Sequence, residues 1–387
     1  MIEQDWISSA EAQARLSVRP QTLYAYVSRG LVQVRPLPGD SRRSLYRAAD
    51  IEALLVRKRR SRRLADVASG TIAWGEPVLA SAITTVRAGR FYYRGRDAVR
   101  LSDDHSFESI ARLLLGHNGA PVESAPRPMP PDHPDFRRRL YLALAERAAE
   151  MPPMLGSSAT AIAIEAATLL DVVADAVAGV RAQGPIHERL AQAWGADPAG
   201  PTADLIRRML VLVADHELNA STFATRVAAS TGASLAAAIL AGLAALSGPR
   251  HGGLSAVVRR FATEANIHGA REAVLGRIVE GRRLPGFGHP LYPHGDIRAA
   301  TLLDLFAVPG PLAALQAAAK ELAGAEPNLD FALTAACQAC ALPDGAAFAI
   351  FATARCAGWI AHAIEQNQSG QLIRPRASYV GPEPEET

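Results

Sequence analysis

Apolar side chains recur at intervals of three and four residues through most of this chain, from about residue 135 onward. This spacing places them on one face of an α-helix. The pattern therefore predicts a mainly α protein whose core is built almost entirely by helices. The predicted helices are 135–150, 159–181, 186–195, 202–215, 219–246, 252–264, 268–281, 296–306, 310–323, 329–341 and 345–367. Short β-prone pieces occur only in residues 70–96 and in the first 65 residues.

The first 65 residues have a shorter pattern of their own. A serine cap at Ser8 or Ser9 predicts a helix over AEAQARL, and Pro20 opens a second helix that Gly30 closes. The turn PLPGD then separates two extended pieces, VQVRPL and RSLYR, and a third helix is predicted from about Ala48. Two helices joined by a tight turn and followed by a hairpin predict a small winged helix-turn-helix domain.

Charge also separates this small module from the rest of the chain. The 387-residue protein has a formal net charge of +3, but residues 1–65 hold 13 Lys and Arg against six Asp and Glu. The remainder is therefore slightly acidic. A basic module beside a mildly acidic one indicates different partners for the two, and the arginine-rich run at 57–63 suits DNA phosphates.

The module resembles the MerR and excisionase type of winged helix-turn-helix. That resemblance implies DNA binding through residues 1–65. A second interpretation stays open, in which the module is inherited, no longer binds DNA, and continues into a solvated linker helix. The candidate DNA contacts are Arg19, Gln21, Thr22, Tyr24 and Arg29 on the helices, with Arg42 and Arg43 on the wing.

The segment LPGFGHPLYPHGDIRA, residues 284–299, carries much of the candidate chemistry. Two glycines flank a phenylalanine there, so the backbone can lie close to a ligand. His289 could polarise a carbonyl, and Arg298 could hold a carboxylate. The upstream motif GPRHGG contains His251, and the downstream motif EPNLDF contains Asp330. Two histidines, an aspartate and several arginines could deprotonate a carbon acid and stabilise its enolate.

The motifs GPRHGG, GFGH followed by DIR, and PNLDF stand in this order and resemble those of the citrate synthase family. ADHELNAST, ARCAGWIAH and RPRASYVG extend the resemblance over roughly residues 68–385. It implies a two-domain citrate synthase-like helical fold preceded by the winged module. The implied domains are 1–65 for DNA binding, 66–251 with 332–387 as the large domain, and 252–331 as the small domain. Closure of the two helical domains would exclude water from a thioester intermediate.

The resemblance also implies a role for each motif residue in condensing acetyl-CoA, or a related acyl-CoA, with oxaloacetate. Asp330 would remove a proton from the acetyl methyl group, and His251 would donate to the enolate oxygen. His289 would donate to the ketone of oxaloacetate. Other residues would bind the substrates: His216, Arg298 and Arg355 the oxaloacetate, Gly286, Phe287 and Gly288 the CoA, and Arg374 the site of the partner subunit in a homodimer.

The resemblance further implies that acetyl-CoA is a substrate and CoA a product, and that the protein needs no permanently bound cofactor and no metal. The three cysteines, two of them in a CxxC, are interpreted as buried reduced thiols. The chain shows no secretory leader and no uninterrupted apolar run of membrane-spanning length, so we expect a cytoplasmic protein without a membrane partner. His294 and His362 are interpreted as structural residues.

Several positions depart from the family pattern. Leu254, Ser255 and Ala256 follow GPRHGG, where the family continues Ala-Asn-Glu. Pro293 stands where a basic residue often meets the CoA phosphates. Three alternatives to citrate synthase therefore stay open: a 2-methylcitrate synthase that uses propionyl-CoA, a citryl-CoA lyase-type enzyme, and a DNA-binding regulator whose citrate synthase-like body senses a metabolite.

Overall fold

The computed structural model describes residues 5–16, 18, 20–28, 31–37, 40–55, 79–116, 122–377 and 379–382. The chain separates into two compact units. One unit lies within Met1–Ala80 and Arg376–Thr387, and the other is Ser81–Pro375. The predicted domain boundary at residue 65 and the basic run at 57–63 fall outside the described residues.

The first unit combines short strands with short helices. Its elements are β1 (Trp6–Ser8), α1 (Ser9–Leu16), α2 (Pro20–Ser28), β2 (Val34–Leu37), β3 (Asp40–Arg47) and a helix, α3, described over residues 48–55. The three strands form an antiparallel sheet in the order β1-β3-β2. The helices and the hairpin lie where the sequence pattern places them, and β1 is an addition to that pattern.

The first unit has an apolar core of its own. Ala12 and Leu16 of α1, Leu23 of α2, Tyr46 of β3 and Ile51 of α3 are buried in one cluster. Isolated helices and hairpins of this length are marginal in water, so the shared core stabilises them together.

The second unit is almost entirely helical, which confirms the predicted mainly α fold. It begins with a small antiparallel sheet of β4 (Thr84–Arg87), β5 (Arg90–Tyr93) and β6 (Arg96–Asp97). Its helices are α4 (Ala98–Asp104), α5 (Phe107–Leu115), α6 (Phe136–Glu150), α7 (Ala159–Ala178), α8 (Ile186–Ala193), α9 (Pro201–Val213), α10 (Ala220–Ser230), α11 (Leu235–Leu246), α12 (Leu254–His268), α13 (Ala270–Val279), α14 (Ile297–Leu303), α15 (Gly310–Ala323), α16 (Leu329–Ala339) and α17 (Ala346–Ser369).

Two apolar clusters divide this unit into a larger and a smaller lobe. The smaller cluster buries side chains such as Phe261, Val274, Leu315 and Phe331 from α12, α13, α15 and α16. Its members lie within residues 258–335, close to the predicted small domain. The larger cluster is built around α17 by the remaining helices and by the other face of α16.

Helix α17 is the central helix of the larger lobe. By length and composition alone it could cross a membrane, but 94% of its apolar window is buried inside the protein. Its apolar composition therefore reflects its place in the core. It packs against α5, α7, α9, α10, α11 and α16.

The structure corrects one predicted helix. The pattern predicted an unbroken helix over 219–246, but α10 ends at Ser230 and α11 begins at Leu235. Gly232, between them, has a positive φ of +81°. Ser234 caps α11, where its side chain accepts the N–H of Ala237. A glycine that adopts this left-handed conformation ends a helix, and a serine two residues later starts the next one.

Candidate active site

The glycine-rich loop before His289 is hydrogen-bonded to the segment that leads into α16. The Gly288 N–H donates to the Glu326 carbonyl at 2.9 Å, and the Asn328 N–H donates to the Gly286 carbonyl at 2.8 Å. The Asn328 side-chain amide also donates to the Gly288 carbonyl at 3.1 Å. Both glycines have positive φ, +85° and +72°, which favours glycine at these positions. The loop that carries His289 is thus fixed to the start of α16.

Asp330 lies in the first turn of α16, directly inside the cap that Asn328 forms. The Asn328 Oδ1 accepts the Asp330 N–H at 3.1 Å. Within the described residues, Asp330 Oδ1 is buried and has no hydrogen-bond partner. Burial raises the pKa of this carboxyl to about 7, although Arg298 and Arg355 oppose the rise. A carboxylate with a pKa near neutrality and an oxygen without a hydrogen-bond partner in the described chain suits a general base.

Arg298 lies in the first turn of α14 and is clamped by the aspartate that caps this helix. Asp296 Oδ1 accepts the Arg298 backbone N–H at 3.1 Å and Nε at 2.9 Å, and Oδ2 accepts Nη2 at 2.7 Å. Although burial opposes its charge, the Asp296 carboxylate raises the pKa of Arg298. Nη1 makes no hydrogen bond in the part of the chain that the structure describes. The guanidinium is therefore rigid and keeps one nitrogen for a ligand.

Arg355 approaches the same site from α17. Its Nε donates to the Val213 carbonyl at 3.0 Å, and its Nη1 and Nη2 have no hydrogen-bond partner among the described residues. Burial lowers the pKa of Arg355 to about 10, although Asp215 favours the charged form. Burying a guanidinium with two unpaired nitrogens costs free energy, and the carboxylate of a ligand would satisfy them.

His216 and His289 lie side by side, with Tyr292 against both. The two imidazole centroids are 5.4 Å apart, and the Tyr292 hydroxyl is 2.7 Å from His216 Nε2. The Leu291 N–H donates to His289 Nδ1 at 3.2 Å, which places the proton of neutral His289 on Nε2. Burial, assisted by Arg298, lowers the pKa of His289 to about 4 and that of His216 well below its usual range. Both rings are therefore neutral near pH 7.

His251 lies in the turn between α11 and α12. Its Nε2 is 2.8 Å from Ser221 Oγ and 3.2 Å from Asn219 Oδ1. The indole N–H of Trp359 donates to the same Ser221 oxygen at 3.2 Å. The Ser221 hydroxyl donates its one proton to Asn219 Oδ1 at 2.7 Å, and an amide oxygen can only accept, so the ring proton of neutral His251 lies on Nε2 in this arrangement. Burial lowers the pKa of His251 to about 4, so this ring too is a neutral hydrogen-bond donor.

Two phenylalanines pack between these polar groups. The Phe91 ring centroid is 6.4 Å from that of His216 and 6.0 Å from the Arg298 guanidinium carbon. The Phe351 centroid is 6.1 Å from that of His251 and 4.8 Å from the Arg355 guanidinium carbon. The structure thus brings together six predicted residues: His216, His251, His289, Arg298, Asp330 and Arg355.

The other predicted residues lie elsewhere. Arg374 is exposed on the segment that follows α17 and makes no hydrogen bond or ion pair within the described chain. Arg19 and Arg29 fall outside the described residues. The remaining candidate DNA contacts are on α2 (Gln21, Thr22 and Tyr24) and on β3 (Arg42 and Arg43), and of these only Thr22 has a described side chain, which is exposed.

Sequence reasoning missed the residues that hold the site in place. Asp296 had a local signal, since an aspartate just before a helix is a typical cap. Tyr292 and Ser221 had none, because their histidine partners are 76 and 30 residues away along the chain. Ser221 lies inside ADHELNAST and Tyr292 inside LPGFGHPLYPHGDIRA, two motifs whose candidate roles belong to other residues.

The arrangement suits proton abstraction from carbon beside an anionic substrate. Two buried guanidiniums can bind carboxylates, and three neutral imidazoles can donate hydrogen bonds without losing a proton easily. The carboxyl of Asp330 can accept the proton. Among the described residues, no group of three or more His, Cys, Asp or Glu side chains is placed to hold a metal ion.

Comparison with known proteins identifies relatives of this chain. The family model described as citrate synthase, C-terminal domain, matches residues 138–376. A candidate citrate synthase 2 of Mycobacterium tuberculosis H37Rv is 34% identical over 328 residues, covering 76% of this chain and 88% of that protein. A 2-methylcitrate synthase of the same strain is 33% identical over 207 residues, covering 49% of this chain and 51% of the relative.

Solved structures show the same fold. The citrate synthase of Thermotoga maritima superimposes with a TM-score of 0.63 at 25% identity, covering 81% of this chain and 96% of that chain. The Thermoplasma acidophilum citrate synthase, in a ternary complex with carboxymethyl coenzyme A and oxaloacetate, has a TM-score of 0.65 at 23% identity, with 80% and 96% covered. The mainly helical citrate synthase fold predicted from the motifs is thereby confirmed.

Proposed function

Because this chain belongs to the citrate synthase family and has citrate synthase-type activity, we propose that its site condenses the acetyl group of acetyl-CoA with the ketone carbon of oxaloacetate. The products are citrate and free CoA. The observation that carries the assignment of roles is Asp330, whose Oδ1 is buried and has no partner among the described residues, beside two buried arginines and three neutral histidines.

Oxaloacetate binds first to the guanidiniums in this proposal. Arg298, held by Asp296, offers Nη1, and Arg355 offers two nitrogens that have no partner among the described residues. Each can meet one carboxylate of the substrate in charge-assisted hydrogen bonds. His216 lies against His289 at the same end of the site and supplies a further hydrogen bond.

The carbon–carbon bond then forms in two steps. Asp330 removes a proton from the acetyl methyl group. In this proposal the Ser221 hydroxyl turns from Asn219 and donates to His251 Nε2, so that the ring proton lies on Nδ1 and is donated to the thioester oxygen, which becomes the enol oxygen. The enol carbon attacks the ketone, and His289 Nε2 donates to the ketone oxygen as it becomes the hydroxyl. Water then cleaves the citryl-CoA thioester and releases CoA thiol. The backbone of Gly286, Phe287 and Gly288 lies beside His289 and is proposed to contact the CoA.

The activity is tested by release of CoA thiol from acetyl-CoA plus oxaloacetate, with Asp330→Asn alongside the wild type. We expect turnover that requires both substrates and falls at least about 100-fold in the variant, since general-base catalysis is worth that much. Asp304→Asn, at an exposed aspartate that ends α14, is the matched control. Equal activity of the Asp330→Asn variant would refute the assigned base, and faster turnover with propionyl-CoA would assign a 2-methylcitrate synthase.

The first unit is proposed to be a winged helix-turn-helix that binds DNA. Support comes from the order of its elements, since α2 begins at Pro20, soon after α1 ends at Leu16, and a hairpin of β2 and β3 follows them. Fluorescence anisotropy of the full chain with a mixed-sequence 30-base-pair duplex tests it. We expect binding that weakens between 50 and 200 mM salt and drops in Arg42→Ala/Arg43→Ala, but not in Arg87→Ala, a charge on the other unit. If the full chain does not bind the duplex at 50 mM salt, the alternative interpretation holds, in which the first unit is an inherited module that no longer binds DNA.

A homodimer with Arg374 reaching into the partner's site is also proposed. Arg374 is exposed and makes no ion pair in the described chain, so its guanidinium is available to a second copy of the protein. The shared site is tested by refolding the Arg374→Ala and Asp330→Asn chains together, each being inactive alone. A hybrid dimer would then contain one site with both residues intact. Activity recovered in the mixture supports the shared site. A monomer by sedimentation, or full activity of Arg374→Ala alone, contradicts it.

A further inference from the structure

One stripe of α17 holds three consecutive residues of the segment that leads to His216. Arg355 Nε donates to the Val213 carbonyl at 3.0 Å, and the Gly358 N–H donates to the Ala214 carbonyl at 3.1 Å. His362 Nε2 lies 3.2 Å from Asp215 Oδ2. The donors are spaced three and four residues apart, so they lie on one face of the helix. Each turn of that face therefore meets the next residue of the segment.

The contact at Gly358 leaves no room for a side chain. A Cβ there would come within 2.3 Å of Asp215 Oδ1 and 2.6 Å of the Ala214 carbonyl oxygen. The helix backbone thus lies directly against the segment. Small displacements of α17 would be transmitted to it, because close-packed groups cannot absorb them.

The proton on the His362 ring is assigned by its neighbours. Arg226 Nη1 lies 3.1 Å from His362 Nδ1, and a guanidinium nitrogen can only donate. Nδ1 is therefore the acceptor, and the ring proton is on Nε2, where it donates to Asp215. Both His362 and Asp215 are fully buried, at 0% exposure. The bond between them is shielded from water and restrains Asp215, the residue directly before His216.

Continuing from the proposed function, on which this inference rests, we propose that His362 is a positioning residue for oxaloacetate. Its Nε2–H bond to Asp215 fixes the segment that places His216, and the same stripe of α17 places the Arg355 guanidinium. His362 does not touch substrate. It acts by holding the two substrate-binding groups in register, which is a role that its interpretation as a merely structural histidine did not foresee.

Replacing His362 by glutamine or by asparagine distinguishes the roles of its two ring nitrogens. His362→Gln puts an amide N–H near the position of Nε2 and keeps the bond to Asp215. His362→Asn reaches only the position of Nδ1 and loses that bond. Cys356→Ala is the matched control, because Cys356 is buried on the same helix and makes no hydrogen bond in the described chain.

For each variant, the Kd for oxaloacetate without acyl-CoA is measured by calorimetry, together with KM for both substrates, kcat and Tm. We expect His362→Asn to raise the Kd and KM for oxaloacetate about tenfold or more, since small misplacements of positioning groups have effects of this size. The KM for acetyl-CoA should change less than about twofold. His362→Gln should stay within about threefold of the wild type, and Cys356→Ala should lower only Tm.

A double-variant cycle closes the test. Asp215→Ala removes the same bond from the other side, so Asp215→Ala/His362→Asn should bind oxaloacetate no more weakly than the weaker single variant. Equal impairment of the Gln and Asn variants, or additive losses in the cycle, would overturn the inference. If His362→Asn does not fold, a folded His362→Gln with a tenfold weaker Kd also overturns it. A wild type that neither binds nor turns over oxaloacetate would instead refute the proposed function.

Discussion

Replacing Asp330 by asparagine should make the protein more stable while it abolishes activity. Asp330 is half-buried, its Oδ1 is fully buried without a partner in the described chain, and burial raises the pKa of the carboxyl from 3.8 to about 7. The folded protein therefore holds the proton more tightly than the unfolded chain does. Ionising the group in the folded state costs free energy, and the neutral amide of asparagine does not incur that cost.

The size of the effect follows from the pKa difference. Each pKa unit corresponds to about 1.4 kcal/mol, so a rise of about three units costs the folded protein about 4 kcal/mol once both states are ionised. The cost is absent below pH ~4, grows as the pH rises towards 7, and is constant above it. At pH 5 only about 2 kcal/mol of it is present, and at pH 8 all of it is.

The assay is thermal unfolding of the wild type and of Asp330→Asn at pH 5 and pH 8. With roughly 2 °C of Tm per kcal/mol in a chain of this size, we expect the variant to gain about 4 °C more relative to the wild type at pH 8 than at pH 5. The amide's own buried polar groups shift both values equally, so the difference between the two pH values isolates ionisation. Exposed Asp304→Asn should show no such difference. A Tm gain that does not grow with pH would refute the reasoning.

Two further predictions concern activity. In a full pH–rate profile, kcat/KM should fall on the acidic side with an apparent pKa of about 7, because Asp330 must lose its proton to act as a base. His251 and His289 have pKa values of about 4 and stay neutral above pH 5. A fall in kcat/KM that occurs only below pH 5 would contradict this assignment. Tyr292→Phe removes the hydroxyl that lies 2.7 Å from His216 Nε2 and leaves this buried nitrogen unpaired, which costs about 1–2 kcal/mol. Steady-state kinetics should therefore show a KM for oxaloacetate raised about 5- to 30-fold, with kcat changed much less. An unchanged KM would show that the hydroxyl does not hold the His216 ring.

Helices could be predicted from the sequence because their apolar stripes are long and regular. The break inside 219–246 could not, because alanine-rich periodicity continues across it and only Gly232 and Ser234 mark the turn. Helix propensity is a weak preference, and here the packing of α10 and α11 against each other overrides it. The short strand β1 was missed for a related reason, since three residues are too few to show alternation.

The residues that carry charge or chemistry in the site could be predicted, whereas most of those that position them could not. His251, His289 and Asp330 stand in glycine- and cap-rich turns, where a functional side chain is brought out by the backbone itself. Their supports are neutral groups such as Ser221 and Tyr292, whose bonds join distant parts of the chain. A sequence shows that such residues exist but not which partner they meet. The hydrogen bonds between the 286–288 loop and the start of α16 belong to the same class.

The two arginines show how this site divides preorganisation from recognition. Arg298 has its charge balanced by Asp296 through two side-chain hydrogen bonds, so its direction is fixed before any ligand arrives. Arg355 is buried and, within the described chain, hydrogen-bonds only through Nε to a backbone carbonyl, and burial lowers its pKa to about 10. A second built-in carboxylate would make Arg355 as stable as Arg298, but it would also occupy the nitrogens that the substrate needs. A substrate carboxylate that binds these nitrogens would therefore supply the pairing that Arg355 does not receive from the described chain. The proposed oxaloacetate site thus depends on one guanidinium that is paired by the protein and one that is paired by the substrate.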